Sequence, residues 1–285
     1  MPSFNRIASV ELTPFNNTSV IARRIDKLRI SFIIEKFNNI ELNTAKIEIS
    51  NMSDLTRSDI EETQQIVLLR AGYLSGSGEE ILFTGNSTRI YSEDATPNIN
   101  TFIEAQDGEK ALSESKVNLS FAENVSTKVI LREILKKIPI ANKIVRESEL
   151  PNKKLIEGFS FIGSAKVALK KMTDSLDLTA SVQNNELVLF KNGTSDDTDV
   201  FVVTPKTGLI GRPEKLDELS KEGKKTTKRT GLLIRSLLLP RVVPGNRIQI
   251  SSAEINPRST YTVHKATHKG DTHGNDFLTE LEVFE

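Results

Sequence analysis

The three histidines of this 285-residue sequence, His264, His268 and His273, lie near its C-terminal end with Asp271 among them. Such side chains can hold a metal ion. On a strand, His264 and His268 would share a face but stand about 13 Å apart at roughly 3.3 Å per residue, too far for one ion. Only His268, Asp271 and His273 could converge across the GDTHG turn, and turn and surface polar groups are the preferred reading. GFSFIG, starting at Gly158, approaches the nucleophile elbow G-x-S-x-G, but its second glycine arrives one residue late. With no cysteine and no histidine nearby in sequence, Ser160 lacks a base, and a strand leading into a helix cap is preferred. The expectation is no catalytic residue, no metal and no cofactor.

Two further stretches could bind anions. TPKTGLIGRPEK, Thr204 to Lys215, sets Gly208 and Gly211 in a G-x-x-G spacing, whereas a phosphate loop needs G-x-x-x-x-G-K-[ST] opening a helix. A backbone corner is the expected role. KEGKKTTKR concentrates Lys221, Lys224, Lys225, Lys228 and Arg229 against Glu222 alone. It reads as a solvated loop tip, a contact for an acidic partner surface, or a contact for nucleic-acid phosphates; the lack of interleaved aromatics argues against stacking on bases. The segment from Asp271 to the end holds five acids and no Lys or Arg, so the last part of the chain has charge of both signs for docking.

These residues need a scaffold, and the pattern supplies mostly strands. KLRISFIIEKF alternates Leu28, Ile30, Phe32 and Ile34, TAKIEIS alternates Ala45, Ile47 and Ile49, and QQIVLLRAGY is a third run. DLTRSDIEE reads as a short helix between the second and third. SGSG reads as a hairpin connection to EEILFTG, and STRIYSED and INTFIEAQDG continue the series. After Gly108 the period changes. STKVILREILKKI places Val129, Ile130, Ile134 and Ile138 on one helical face behind the N-cap Ser126. SAKVALKKMTDSL does the same with Ala165, Leu169, Met172 and Leu176 behind Ser164. LTASV and ELVLF flank Asn184 and Asn185, which suit a two-residue turn. The polar stretch from Asn192 to Asp199 is the linker candidate, and beyond it VFVVT, LLIRSLLLP, RIQISSA, STYTVHKATHK and FLTELEVFE are strands.

Composition bounds the rest. The length suits roughly two or three domains with sizeable cores. The 38 basic and 38 acidic residues cancel, which disfavours long-range attraction to a duplex or an anionic membrane. Absence of cysteine fits folding in a reducing cytoplasm. No stretch approaches about 18 uninterrupted apolar residues, and the first residues lack a signal-peptide pattern, so a soluble, unprocessed chain without membrane contact is expected.

Several of these motifs together resemble baseplate hub proteins of contractile-tailed phages, a tail-tube-like family that includes the late control protein D-like proteins. The resemblance rests on TGLIG followed by Pro213, on Leu238 to Pro240, on Pro244 with Gly245, and on the hairpin pattern of His268, Gly270, Asp271, Gly274 and Asn275. IEISNMSDLTR, RAGY and ILFTG resemble the family's first barrel. It implies an α+β, mainly β fold: two tube-like β-barrel domains, 1–108 and 196–285, flanking a small α+β domain, 109–195. It implies a non-enzymatic homotrimer in the virion tail, made in the host cytoplasm, that joins the sixfold tail tube to the threefold central spike around a channel. The partners would be the tail tube or tube-initiator protein, the spike, the tape-measure protein and surrounding baseplate proteins, with DNA only in transit. The alternative from another class is a tail-associated cell-wall-degrading enzyme. Family members have a short connection after the TGLIG segment, whereas Leu216 to Arg229 adds what reads as a long polar loop. Gly208, Gly211, Pro213, Pro244, Gly245, Gly270, Asp271 and Gly274 are the expected structural turns.

Overall fold

The computed structural model describes the chain apart from residues 1–4, 16–21, 77, 109–110, 113, 141, 146–149, 192–199, 223–224, 252–258 and 285, and describes only the backbone of 144, 217–222 and 225–229. The linker candidate therefore lies outside the described residues. The chain divides into two compact units, one of residues 1–37, 43–106 and 195–285, the other of 38–42 and 107–194. Among the described residues no helix is long and apolar enough to cross a membrane.

In the first unit, alternating apolar residues build strands β1 (Arg6–Pro14), β2 (Arg23–Ile25), β3 (Ile30–Phe37), β4 (Thr44–Ser50), β5 (Gln65–Tyr73), β6 (Gly78–Ala95) and β7 (Asn98–Gln106). β3 shows the cause plainly: Ile30, Phe32, Ile34 and Lys36 are buried while Ile33 is about half exposed. Helix α1 (Asp54–Glu61) starts at Ser53, whose hydroxyl accepts from the Thr56 N–H. EEILFTG and STRIYSED are one strand, not two, because β6 runs through Gly85 and bulges between Ser87 and Arg89. It pairs β5 up to Asn86 and β7 from there on. Gly85 is needed for close approach rather than for a turn, since a Cβ there would lie 2.5 Å from the Gln106 carbonyl oxygen.

The second unit contains β8 (Lys116–Phe121), β9 (Val125–Ser126), α2 (Thr127–Lys137), β10 (Asn142–Val145), β11 (Lys154–Leu155), β12 (Phe159–Ser164), α3 (Ala165–Leu176), β13 (Leu178–Gln183) and β14 (Glu186–Lys191). Both expected caps are present: Ser126 Oγ accepts from the Lys128 N–H and Ser164 Oγ from the Val167 N–H. The buried face of α2 is Ile130, Leu131, Ile134 and Leu135, with Val129 turned toward solvent, so the apolar stripe is rotated from the one expected. Asn184 and Asn185 both take positive φ in the β13–β14 turn, and the buried Asp107 carboxylate accepts from the Asn185 N–H at 2.8 Å.

The chain then returns to the first unit with β15 (Val200–Val203), β16 (Leu209–Glu222), β17 (Lys225–Leu237), β18 (Arg247–Ile250), β19 (Thr260–Asp271) and β20 (Phe277–Phe284). The loop expected at Leu216 to Arg229 is instead a hairpin. β16 and β17 stay in register from Glu214 opposite Leu233 out to Glu222 opposite Lys225. The polarity of the segment suggested a loop, but its Thr226, Thr227 and Thr230 favour extended backbone.

The two β segments share one 13-stranded sheet, ordered β16-β17-β20-β19-β3-β4-β7-β6-β5-β1-β2, with β18 and β15 branching from β19. Among the described residues this ladder ends at β16 and β2 without closing on itself. Two apolar clusters lie in the unit. One gathers Val10, Ile34, Ile47, Leu69, Phe83 and Ile103, the other Ile234, Ile248, Val263, Leu281 and Val283.

Candidate functional site

The most heavily determined region is the junction of the two β segments, where β19 changes partner along its length. Its residues 260–262 pair with β18, and Lys265 through Asp271 pair with β3, while β20 holds its other edge. The switch coincides with a bulge at His264, between Val263 and Lys265. The bulge breaks the two-residue alternation. His264 is therefore half-buried against the edge of the Phe284 ring, while His268 is fully buried on the opposite face. The shared face expected for these two histidines does not exist.

His268 shares a 2.9 Å hydrogen bond between Nδ1 and Thr279 Oγ1, and its Nε2 has no hydrogen-bond partner. Burial, with the positive charge of the equally buried Lys36 nearby, holds this imidazole well below its ordinary pKa, so it is neutral. His273 is exposed in the turn with Nδ1 on Thr272 Oγ1. Among the described residues no group of three or more His, Asp or Glu is arranged to hold a metal ion. Ser160 is exposed on β12, opposite Ser120 of β8, and its strand leads into the cap of α3.

The GDTHGN hairpin closes the junction. Gly270 is registered opposite Phe32, and a Cβ at 270 would sit 2.2 Å from the Phe32 ring. Gly270 is thus a strand position kept bare for an aromatic face, not a turn as expected. Asp271 ends the strand. Its carboxylate accepts from Arg29 Nη2 at 2.6 Å and from the His273 N–H at 2.9 Å. The Arg29 hydrogen bonds hold its pKa below the usual carboxylate value against the opposing effect of partial burial. A Cβ at Gly274 would meet that same carboxylate at 2.5 Å. Arg6, on β1, donates to the carbonyls of Gly274 at 2.6 Å and Asn275 at 3.0 Å and lies over the Phe277 ring.

Beneath the hairpin, Tyr73 joins both segments. Its hydroxyl donates to the Phe277 carbonyl at 3.1 Å and accepts from the Leu238 N–H at 3.2 Å, while its ring meets Phe277 edge-on. Burial raises its pKa, which keeps the hydroxyl available as donor. Leu238, of the Leu238 to Pro240 stretch, joins Phe277 in the apolar cluster built mostly from the first segment. Tyr73 and Arg6 were not singled out from sequence. RAGY was visible as a strand end, but nothing local signals a partner about two hundred residues away.

The remaining expected positions are corners. Thr204 accepts at its carbonyl from the N–H groups of Thr207, Gly208 and Leu209. Those are the donors an anion would need, so this turn is built around its own backbone. Gly208 and Gly211 take positive φ, and Pro213 falls in the register shift between Ile210 and Glu214. Gly245, after Pro244, also has positive φ, and its N–H donates to the Val263 carbonyl. Lys221, Lys225, Lys228 and Arg229 lie on the projecting β16–β17 hairpin, and Lys224 lies outside the described residues. Of the acids from Asp271 on, Asp271 pairs with Arg29, and Glu280 with Lys269 and Arg235.

The architecture is thus a mainly β unit whose first and last segments join by one strand pair, with an α+β unit between them in sequence. No family model matches the sequence, and no curated protein matches it. Solved structures do. A tail protein from Neisseria meningitidis superposes with a TM-score of 0.64 at 11% identity over 98% of this chain and 96% of that one. The 43 kDa tail protein of prophage MuSo2 from Shewanella oneidensis gives 0.64 at 8% identity over 96% of each chain. An E. coli component of the type VI secretion system, described as structurally similar to bacteriophage tail proteins, gives 0.61 at 8% identity over 90% of this chain and 73% of that one.

Proposed function

We propose that this chain is a structural hub subunit of a contractile phage tail baseplate, located in the virion and without enzymatic activity. Three copies form a ring that joins the sixfold tail tube to the threefold central spike and leaves a channel for DNA in transit. The observation that carries this reading is the β3–β19 junction. It couples the first β segment to the last, with one apolar cluster drawn mostly from the first and another drawn from the last, and in this reading each segment supplies one station of a threefold-to-sixfold adaptor. In this reading the segments 1–108 and 196–285 are the two tube-like stations and 109–195 is the inserted domain.

The likeness to a Neisseria tail protein and a Shewanella prophage tail protein over nearly their whole length supports the same assignment. An open sheet carries unpaired edge groups, and a closed ring of head-to-tail contacts satisfies them without unlimited growth. Tail tube or tube-initiator, spike, tape-measure and neighbouring baseplate proteins are the proposed partners. Mass photometry with negative-stain imaging, alone and with the spike, tests the reading. A ring-shaped trimer is expected, and a compact monomer under both conditions would overturn it. Release of soluble fragments from purified peptidoglycan would instead establish the cell-wall-degrading alternative.

A further inference from the structure

The connection between β3 and β4 contains Asn38, Asn39, Ile40, Glu41 and Leu42, which is more than a hairpin turn needs. The asparagines suit a turn, and Asn39 Oδ1 accepts from the Glu41 N–H at 2.8 Å. Ile40 and Leu42 do not. A solvated turn would leave both apolar side chains in water, yet Ile40 is buried and Leu42 partly so. Both belong to the core of the second unit, in the cluster that holds Ile134 of α2, Leu169 of α3 and Leu187 of β14. Residues 38–42 are accordingly part of that unit.

The ends of this tongue belong to the sheet. The β3–β4 ladder stops at Glu35 opposite Thr44, and the buried Asn43 closes the neck, its Oδ1 accepting from the Phe37 N–H at 2.9 Å. Phe37 is also the last residue of the β3–β19 ladder. It stands opposite Lys265, whose ammonium lies over its ring at 5.1 Å, and Lys265 follows the bulge at which β19 changes partner. An inserted unit is ordinarily tied by the chain that enters it and the chain that leaves it. Here the tongue adds a further tie, and it starts where the ladder joining the first β segment to the last comes to its end.

We propose that residues 38–42 are a conformational strap, through which Ile40 and Leu42 couple the packing of the second unit's core to the fastening of the β3–β19 ladder at Phe37. A close-packed core holds its apolar side chains in place, so the tongue is fixed while that core is closed and released when it opens. The neck and the last ladder pair follow, because they are the next residues along the chain. A partner that braces or loosens the second unit therefore braces or loosens the join between the two β segments. This goes beyond the ring reading and does not depend on it.

The test is hydrogen exchange, read by mass spectrometry on the full-length protein, in a double-mutant cycle. Leu169→Ala opens a cavity in the second unit's core, and Ile40→Ser/Leu42→Ser removes the anchors of the strap. In the otherwise wild-type chain, Leu169→Ala should speed exchange about fivefold or more in α2 and α3 and also at the ladder end, residues 34–37 and 265–268. With Ile40→Ser/Leu42→Ser present, the same change should still speed α2 and α3 but move the ladder end by less than about twofold. Circular dichroism checks that each protein is folded, and the milder Ile134→Val runs the same cycle if Leu169→Ala does not fold. A ladder end that ignores a cavity to which α2 and α3 respond would overturn the strap. So would a ladder response that persists without Ile40 and Leu42, since the coupling would then run elsewhere. Exchange in the β1–β5 pair is the control: an equal rise there would mean that the whole chain opens at once, and would overturn a local strap.

Discussion

The last segment contains two hairpins of opposite character. The β19–β20 hairpin is gripped from every side: Phe32 fills the space above Gly270, Arg29 binds Asp271, Arg6 holds the turn carbonyls, and Tyr73 bridges Phe277 to Leu238. The β16–β17 hairpin beyond Gly231 pairs with no third strand among the described residues. One is a clasp within the subunit, and the other is an arm. The difference shows that hairpin chemistry in sequence does not say whether the rest of the chain grips it.

Substitutions can break this contrast. Gly270→Ala should cost the most, about 2–3 kcal/mol, because the added Cβ must displace the Phe32 ring in a packed junction. Urea unfolding would measure it, and Gly270→Ala/Phe32→Leu should recover part of the loss through coupling. A fully stable Gly270→Ala would show that the clasp is loose.

Tyr73→Phe should cost about 1–2 kcal/mol. It leaves the Phe277 carbonyl and the Leu238 N–H without the hydroxyl that serves both. Thermal melts should show the lower midpoint, and an unchanged one would mean that these groups find other partners.

His268 offers a pH test of the same junction. Its folded pKa lies well below the ordinary 6.5, so between the two values the unfolded chain binds a proton that the folded chain refuses. Stability should be full above about pH 6.5 and fall below it, by up to about 1.4 kcal/mol per pH unit from this one group. Denaturant titrations between pH 7 and 5 on wild type and His268→Gln should differ in slope, and equal slopes would contradict a neutral buried imidazole.

The smallest effect belongs to the arm. Replacing residues 218–229 with Asn-Gly should change the unfolding free energy of the isolated subunit by less than about 0.5 kcal/mol, since the removed ladder touches no third strand. A larger loss would mean that the arm also folds back on its own subunit.

Much of the fold was legible where the signal is local. Ser126 and Ser164 announce their helices because a cap acts within three residues, and Asn184 with Asn185 announces a turn because φ is a property of the residue. The errors fall where a distant partner decides. EEILFTG and STRIYSED read as separate runs, but Gly85 between them is a close approach to Gln106 within one strand; Val129 reads as inside, but the packing of α2 turns it out. The shared face of His264 and His268 failed at a bulge, which sits where β19 exchanges β18 for β3.

The sequence by itself determined a mainly β chain with a helical insertion, no cysteine chemistry, the caps of the two longer helices and the corners at Gly208, Gly211 and Gly245. These follow from periodicity, capping and backbone preference, which act over a few residues. Only the tertiary structure decided that the first and last segments share one sheet, that Gly270 is bare for Phe32, and that the basic stretch is a ladder rather than a loop. Strand pairing across more than two hundred residues depends on which edges and side chains meet in space, and no local pattern records that choice.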